Sequence, residues 1–319
     1  MRKTDINTGD CKDKMEKIQI DREEFFRVNV KKYSSDCDFE VIRPASLDFP
    51  KDNAVMFVKE AYLEKWKNLL RVKHCLVFWP INIDVPCELR ECHAVFLCPD
   101  TRVAYCQFFK ENQIRNLPEP EKMNCVNGAY IAESAKIGQG TVIMPGAYIS
   151  GKTQIGENCY IGAGTKLMGR IIIGNSVIIR ENSVLGADGL STDRNEDGSA
   201  ATMPQFGGIL VENSVEIGAN CVIARGAIDN TVIGTGCKLD NSVFISHNVL
   251  LGKDTFVVGE TIMFGSSSTG ERTCISGNAT IRNKVKIGSD VIIGMGSVVT
   301  KDIESGSVVL GSPAKKRGQ

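Results

Sequence analysis

The sequence is poor in histidine, the residue that most often performs acid–base and metal chemistry. Its 319 residues include three histidines, His74, His93 and His247, and only two tryptophans. Lys and Arg number 38 together, as do Asp and Glu, so the formal net charge is zero. Because no bulk charge attracts the chain to nucleic acid or to an anionic membrane, its partners have to be inferred from individual sites.

Long apolar runs and metal-type cysteine spacings are also missing. No run approaches the roughly 18–20 apolar residues of a membrane span. The first segment, MRKTDINTGDCKDKMEKIQI, is polar and lacks the apolar stretch of a secretory signal. We therefore expect a soluble cytoplasmic protein without a transmembrane segment. None of the 12 cysteines forms a C-x-x-C pair, and Cys87, Cys92 and Cys98 lie in apolar segments that resemble strands, so buried reduced thiols are expected and a metal site is not.

What the sequence does contain is a six-residue repeat. An apolar residue recurs at every sixth position over 131–185 and again over 211–223, slips near RGAIDN, and resumes over 233–299, where only Thr269 breaks the series. A period of six is neither the two of an ordinary strand nor the 3.6 of a helix. It fits a short strand followed by a corner, with three such sides closing one coil of a parallel β-helix.

Two further positions of the repeat are restricted. Four places after the apolar residue stands a small or β-branched residue, which gives Cys159, Cys221 and Cys237 a structural role as small core residues. The residue directly after the apolar one is often glycine, as at Gly156 and Gly252. There we expect a corner that requires a permissive backbone.

The repeat divides the chain into regions. Residues 1–115 predict a small α/β domain, 116–128 a linker, 129–305 the β-helix and 306–319 a C-terminal tail. In the first region DNAVMFVK, HCLVFWP and HAVFLC indicate strands. EAYLEKWKNLLRV indicates an amphipathic helix with Leu63, Trp66, Leu69 and Leu70 on one face, and PDTRVAYCQFFKEN a helix with Asp100 or Thr101 as its N-cap. The aperiodic polar stretch 187–208 predicts a loop that leaves the coils, either as a solvated excursion or as the lining of a site between subunits.

Four segments carry a resemblance to a known family. MPQFGG, VEIGANCVIARGAIDNTVIGTGCKLDN, ISHNVLLG and GMGSVVTKDI resemble, in this order, the UDP-3-O-acylglucosamine N-acyltransferases of lipid A synthesis, a branch of the hexapeptide-repeat acyltransferases. The resemblance implies a left-handed β-helix, against the usual right-handed crossover. It also implies an N-terminal domain that binds a nucleotide sugar, and a homotrimer whose active sites lie between neighbouring β-helices.

The same resemblance implies a reaction. An acyl group would move from a thioester, on acyl carrier protein or coenzyme A, to the amine of a UDP-linked amino sugar, with no tightly bound cofactor. His247 would be the general base, a task suited to imidazole. A lone histidine in the solenoid cannot form the three-histidine zinc site of another β-helix family. An exposed corner residue is the ordinary alternative for His247.

Further residues acquire candidate roles from the resemblance. Asp240, Asn241, Asn248 and Gln205 would contact substrate or shape the site near the base, although Asp240 and Asn241 are equally explained as ordinary corner residues. A backbone N–H at Gly265, one 18-residue coil beyond His247, is a weak candidate for stabilising the oxyanion.

The sequence departs from the family at three places. Lys284 stands where the family has a second active-site histidine, and could hold an anion or simply be solvated. Phe57 and Tyr62 resemble the two aromatics that sandwich uracil, but Glu60 stands where the family has asparagine, and both rings could be core residues. The ending resembles that of small-acyl sugar acetyltransferases through Gly311, Pro313 and Ala314, followed by basic residues at 315–317.

These departures keep two alternatives open. One is an acetyl-CoA-dependent acetyltransferase acting on a hydroxyl or amine of a polysaccharide precursor, which the ending favours. The other is a non-catalytic β-helix scaffold, which the loss of the second histidine favours and the retained His247 opposes.

Overall fold

The chain folds into two compact units. The structure, a computed structural model, describes residues 24–316. One unit is a solenoid of residues 118–189 and 207–316, and the other contains residues 24–117 together with 190–206. No helix within residues 24–316 is long and apolar enough to cross a bilayer.

The solenoid is a three-sided parallel β-helix. Its first sheet contains Met123–Val126, Ala129–Ala132, Tyr148–Ile149, Lys166–Leu167, Val184–Ala187, Val222–Ala224, Phe244–Ile245, Ile262–Met263, Thr280–Ile281 and Val298–Val299. Its second sheet contains Val142–Ile143, Tyr160–Ile161, Ile178–Ile179, Glu216–Ile217, Lys238–Leu239, Phe256–Val257, Cys274–Ile275, Ile292–Ile293, Val308–Leu310 and Lys315–Lys316. Its third sheet contains Lys136–Ile137, Thr153–Ile155, Ile171–Ile173, Ile209–Val211, Thr231–Ile233, Leu250–Leu251, Ser268–Thr269 and Lys286–Ile287. The three sheets confirm the predicted parallel β-helix.

The register of the sheets builds the core. Ile245 pairs with Met263 in the next coil, and Met263 pairs with Ile281 in the coil after that. All three side chains are buried in one continuous apolar cluster. Burying each such side chain contributes about 1.5–3 kcal/mol, so the six-residue pattern supplies the solenoid's main stabilisation.

The repeat requires glycine for a reason different from the predicted one. Gly156 and Gly252 do not adopt positive φ; the left-handed position comes two residues later, at Asn158 and Asp254. A Cβ on Gly252 would lie 2.3 Å from the carbonyl oxygen of Gly270 in the next coil. Glycine is therefore required there by the close approach of two coils, and asparagine or aspartate accepts the left-handed turn.

The core cysteines are structural. Cys159, Cys221 and Cys237 are buried, as predicted, and each thiol donates to a backbone oxygen of the next coil at 3.1 Å. Burial raises the pKa of the Cys237 thiol to about 12, so it stays protonated.

Both ends of the solenoid extend the sheets. An antiparallel hairpin of Met123–Val126 and Ala129–Ala132 begins within the expected linker. At the other end Lys315–Lys316 pairs antiparallel with Val308–Leu310, and Ala314 packs against the core. Arg317, the last residue of the basic ending, lies outside the described residues.

The N-terminal unit is built on a parallel sheet of Arg43–Pro44, Ala54–Phe57, Leu76–Pro80 and Ala94–Cys98, in that order. Val28–Asn29 and Glu40–Val41 form a separate antiparallel pair. A short 3₁₀ helix spans Val30–Lys32. The three strands predicted from the sequence are confirmed. Cys87–Cys92 forms a helix that begins directly after Pro86, not the predicted strand, while Cys98 does end a strand.

Of the two predicted helices, one is α-helical and the other is not. Thr101–Glu111 is α-helical, and Asp100 caps it by accepting from the amides of Arg102 and Val103, as predicted. Glu60–Arg71 is a 3₁₀ segment interrupted by a kink at Tyr62, whose dihedrals are not helical. Because a 3₁₀ helix has three residues per turn, Leu63, Trp66 and Leu69 align toward the core. Leu70 is 53% exposed, so its predicted inward position was wrong.

The aperiodic stretch leaves the solenoid and forms part of the N-terminal unit. Its strands Thr192–Arg194 and Ala200–Thr202 make an antiparallel hairpin, and Asp193 forms an ion pair with Arg102 at 3.7 Å. The ring of Phe206 lies 5.2 Å from that of Phe109, centroid to centroid. The excursion therefore has its own secondary structure and its own packing.

Thr269 is the one interruption of the apolar series. Its hydroxyl accepts a hydrogen bond that a backbone carbonyl accepts in the preceding coil. Its hydroxyl accepts from the amide of Gly252 at 3.0 Å, whereas Gly234, one coil earlier, donates to the carbonyl of Leu251. We predict that Thr269→Val lowers the free energy of unfolding by about 1 kcal/mol, because it leaves the partly buried amide of Gly252 without its acceptor. Urea unfolding followed by circular dichroism measures this. Thr269→Ser keeps the acceptor and should lose less; a valine variant as stable as the wild type would contradict this account.

Buried His93 makes the N-terminal unit sensitive to acid. The amide of Cys75 donates to its Nδ1 at 3.3 Å, so Nε2 carries the proton and donates to the carbonyl of Leu69 at 3.2 Å. Burial lowers the pKa of His93 below its ordinary value of 6.5. The unfolded chain therefore binds a proton first as the pH falls, and folding stability decreases.

We predict that the stability of this unit falls as the pH drops below about 6.5, by at most about 1.4 kcal/mol per pH unit for this one group. Both tryptophans, Trp66 and Trp79, lie in this unit, so tryptophan fluorescence during urea unfolding reports on it. His93→Gln should flatten the pH dependence. Equal pH profiles for the two proteins would refute the assignment.

Candidate active site at one corner of the β-helix

His247 lies at the corner between the first and third sheets. It follows the strand Phe244–Ile245 and precedes Leu250–Leu251. Its backbone is fixed by its own coil and by the next one, because the amide of Ser266 donates to the carbonyl of His247 at 2.9 Å. The side chain is half-buried.

Hydrogen bonds determine which imidazole nitrogen is basic. The side-chain nitrogen of Asn248 donates to the carbonyl of Asp229 at 2.7 Å, and its Oδ1 accepts from the amide of Ala227 at 2.9 Å. The same Oδ1 lies 3.1 Å from Nδ1 of His247. Because Oδ1 can only accept, Nδ1 must carry the proton. The lone pair of the neutral ring is therefore on Nε2.

Two glycines lie against the imidazole. A Cβ placed on Gly265 would lie 2.5 Å from Nε2, and one placed on Gly189 would lie 2.8 Å from Cδ2. Neither glycine has a positive φ. Glycine is therefore needed at both positions because a side chain would collide with the ring, and the buried backbone of Gly265 borders the basic nitrogen.

The amide of Gly265 has no acceptor among the described residues. The carbonyl of Gly265, in contrast, accepts from the amide of Lys284 at 3.1 Å. A free N–H beside a base has the chemistry of an oxyanion donor. The structure thus brings together His247 and Gly265. The sequence had offered Gly265 only as a weak candidate for the oxyanion donor.

The partners of His247 come from the break in the repeat. Ile223 and Ile233 are ten residues apart, whereas the repeat requires six. The extra residues bulge at the same corner and provide the amide of Ala227 and the carbonyl of Asp229. A Cβ on Gly226 would lie 1.6 Å from that carbonyl, so only glycine fits beneath it.

Lys284 lies at the same corner, two coils further on. It is exposed and has φ 63°, in register with Ser266 and Asn248, which have φ 61° and 59°. Asn283, not Lys284, therefore occupies the position that corresponds to His247.

Asp240 and Asn241 lie at another corner, between the second and first sheets. Asp240 accepts from the amide of Gly259 at 3.2 Å, and Asn241 accepts from the amide of Ala219 at 2.7 Å. Within one chain these are the contacts of corner residues, and the structure does not bring the pair to His247.

The other candidates belong to the N-terminal unit. The ring of Phe57 packs on Tyr105 with centroids 4.8 Å apart, whereas Tyr62 is 42% exposed, with Lys65 5.2 Å from its ring. Glu60 begins the 3₁₀ helix and is exposed. Gln205 is 2% exposed, and its Oε1 has no hydrogen-bond partner within residues 24–316. These residues lie outside the solenoid that carries His247.

Sequence reasoning missed three residues beside His247. Gly189 contacts the ring, and the preceding Asp188 forms an ion pair with buried Arg225. The signal available was that both irregular stretches, 187–208 and 225–230, interrupt the repeat after a strand of the first sheet. Among residues 24–316 no group of three His, Cys, Asp or Glu side chains could hold a metal ion.

Known proteins resemble the chain over part of its length. The family model described as bacterial transferase hexapeptide (six repeats) matches residues 152–187. A UDP-3-O-acylglucosamine N-acyltransferase of Bordetella pertussis is 40% identical over 129 residues, which are 40% of this chain and 36% of that protein. The protein of this description from Coxiella burnetii is 39% identical over 122 residues, 38% of this chain and 36% of the relative. The chain thus spans little more than a third of the length of these relatives.

Solved structures support the fold. The UDP-N-acetylglucosamine acyltransferase from Campylobacter jejuni aligns with a TM-score of 0.54 and 23% identity, covering 60% of this chain and 73% of that one. The enzyme of that description from Francisella novicida aligns with a TM-score of 0.51 and 19% identity, covering 60% and 68%. The predicted left-handed β-helix is confirmed. The chain folds into a left-handed β-helix built on hexapeptide repeats, and over part of its length it is similar to the UDP-3-O-acylglucosamine N-acyltransferases.

Proposed function

We propose that this protein is a cytoplasmic N-acyltransferase that moves an acyl group from a thioester to the amine of a UDP-linked amino sugar, for lipid A or surface glycan synthesis. One observation carries the proposal. Asn248 orients the imidazole of His247 so that its unprotonated Nε2 lies beside the free amide of Gly265. The named activity of the relatives supports the reaction class.

The proposed mechanism uses one base and one oxyanion donor. The sugar amine attacks the thioester carbonyl, and a C–N bond forms as Nε2 of His247 takes the amine proton. The carbonyl oxygen becomes an oxyanion, which accepts from the amide of Gly265. When the C–S bond breaks, the thiolate leaves and takes the proton from the imidazolium. Acyl carrier protein or coenzyme A provides the thiol, and no tightly bound cofactor is required.

We place the remaining candidates in substrate binding. Asn248 positions the base, Lys284 offers a positive charge two coils away, and Gln205 with Phe57 and Tyr62 contributes from the N-terminal unit. The buried Oε1 of Gln205 has no hydrogen-bond partner within residues 24–316. A buried acceptor without a donor destabilises the fold, so this atom supports a ligand contact there.

The proposed assembly is a homotrimer with its active sites between neighbouring β-helices. Apolar side chains that a soluble monomer would bury are exposed on the solenoid, including Phe256, Ile262, Phe264 and Ile292 at 36–51%. Phe264 directly precedes Gly265.

A second candidate is an acetyl-CoA-dependent sugar acetyltransferase. The ending favours it, because Ala314 packs against the core and Lys315–Lys316 adds an edge strand to the second sheet. This segment contains Gly311, Pro313 and Ala314, which carry the resemblance to small-acyl sugar acetyltransferases. The donor distinguishes the two candidates.

We predict that His247→Asn lowers kcat by about 10²–10⁴-fold, because the amide cannot accept the proton. Thiol release is measured with acetyl-CoA and with a long-chain acyl carrier protein, each against a panel of UDP-linked amino sugars. His74→Asn is the matched control, since His74 is exposed in the N-terminal unit.

Turnover with only the long-chain carrier would establish the first candidate, and turnover with only acetyl-CoA the second. If no donor is used, or if His247→Asn is as active as the wild type, this role of His247 is wrong and a non-catalytic scaffold becomes the leading interpretation.

We also predict that Gly265→Ala lowers kcat by about 10²-fold while the fold is retained, because the methyl group displaces the ring from its working position. Gly277→Ala is the control: a Cβ there meets its nearest atom at 3.3 Å and contacts no part of His247. Circular dichroism melting checks the fold. Equal activity of the two alanine variants would show that Gly265 does not border the reacting nitrogen.

A further inference from the structure

An ion pair between buried Arg225 and half-exposed Asp188 adjoins the proposed base on the side of Gly189. Arg225 has a side chain only 11% exposed, and its Nε and Nη2 both contact Oδ1 of Asp188. The amide of Arg225 also donates to the carbonyl of Ala187 at 2.9 Å. The chain at 187–188 is thus bound to Arg225 through both backbone and side chain.

This attachment determines the path of the next residue. Gly189 is the last solenoid residue before the excursion, and a Cβ on it would lie 2.7 Å from Cβ of His247 and 3.0 Å from Cγ. Gly265 lies against the same ring at Nε2 and Cε1. The imidazole is therefore in contact with backbone from two coils, and only the Gly189 side depends on a charged pair.

Burial of the guanidinium distinguishes this pair from the Arg272–Asp290 pair, although Asp188 itself is 50% exposed. Removing a guanidinium from water is unfavourable unless a carboxylate compensates it. Arg272 and Asp290 form a geometrically similar pair, with contacts of 2.8 and 2.9 Å, but both side chains are 54% exposed and lie at the corner between the third and second sheets. An ion pair can therefore join neighbouring coils while both of its side chains stay exposed.

We propose that the Asp188–Arg225 ion pair positions the imidazole of His247 by holding Gly189 against the ring. Asp188 and Arg225 are then positioning residues that contact neither substrate nor reacting atoms. The inference rests on the proposed function for its kinetic consequence, but the state of the ring can be measured without any substrate.

The experiment compares Asp188→Asn with the matched control Asp290→Asn. The chain has only three histidines, so ¹⁵N-labelled histidine gives resolvable imidazole signals, assigned with His247→Asn and His74→Asn. In the wild type, Nδ1 of His247 should have the shift of a protonated nitrogen and Nε2 that of an unprotonated one. In Asp188→Asn the two shifts should move toward each other as the released ring averages over orientations and tautomers, while Asp290→Asn leaves them unchanged.

The kinetic expectation for Asp188→Asn is a loss in kcat of about 10- to 100-fold with KM unchanged, since misplacing a catalytic group by about 1 Å has effects of this size. If the variant does not fold, Arg225→Lys provides the second test: it keeps the cation but has one donor group in place of two, and should change the shifts in the same direction. A His247 spectrum and kcat for Asp188→Asn equal to those of Asp290→Asn would overturn the proposal. Full activity of His247→Asn would instead refute the proposed function and leave the positioning result to stand on the spectra.

Discussion

The parallel pairing of one coil with the next, at a repeat of 18 residues, is the constraint on which the other features of this molecule depend. Each coil donates its amides to the carbonyls of its neighbour, as Phe244 does to Thr261 and Ile262 to Ala279. A residue therefore faces whatever stands 18 positions away. Extra residues cannot enter a strand without shifting every later inward side chain to the outside, so they must leave at a corner.

Two insertions interrupt the coils at the corner between the first and third sheets. His247 lies beside both insertions. The first is the excursion that begins after Gly189, and the second is the bulge at 225–230, which provides Ala227 and Asp229. A regular coil offers only outward strand positions and short corners, and these leave little room to surround a side chain. Breaking the period supplies the backbone groups that a regular corner lacks. The irregularities thus build the environment of the imidazole, and the pairing shifts register there between Leu185 and Ala187 before the regular coils resume.

The features that follow from the repeat period were predictable from the sequence, whereas contacts between coils and the type of one helix were not. A six-residue pattern specifies strands and corners because every inward position must be apolar, and Asp100 could be recognised as a cap from local chemistry alone. Leu70 was misplaced because the sequence does not distinguish a 3₁₀ helix from an α-helix. The repeat glycines were assigned the wrong cause because close approach between coils is a tertiary property. For that reason the contacts of Gly189 and Gly265 with His247 were also beyond prediction, although both residues could be counted.

Asn248 shows how one residue satisfies a backbone and a side-chain requirement together. Its corner position needs a positive φ, but Ser266 and Lys284 meet that need in the next two coils, so the backbone alone does not require asparagine. The side chain must donate to the carbonyl of Asp229 and accept from both Ala227 and His247. Aspartate could accept but not donate, and serine is too short to reach three partners. An amide alone meets all these conditions, and by fixing the proton on Nδ1 it leaves Nε2 as the basic nitrogen next to Gly265.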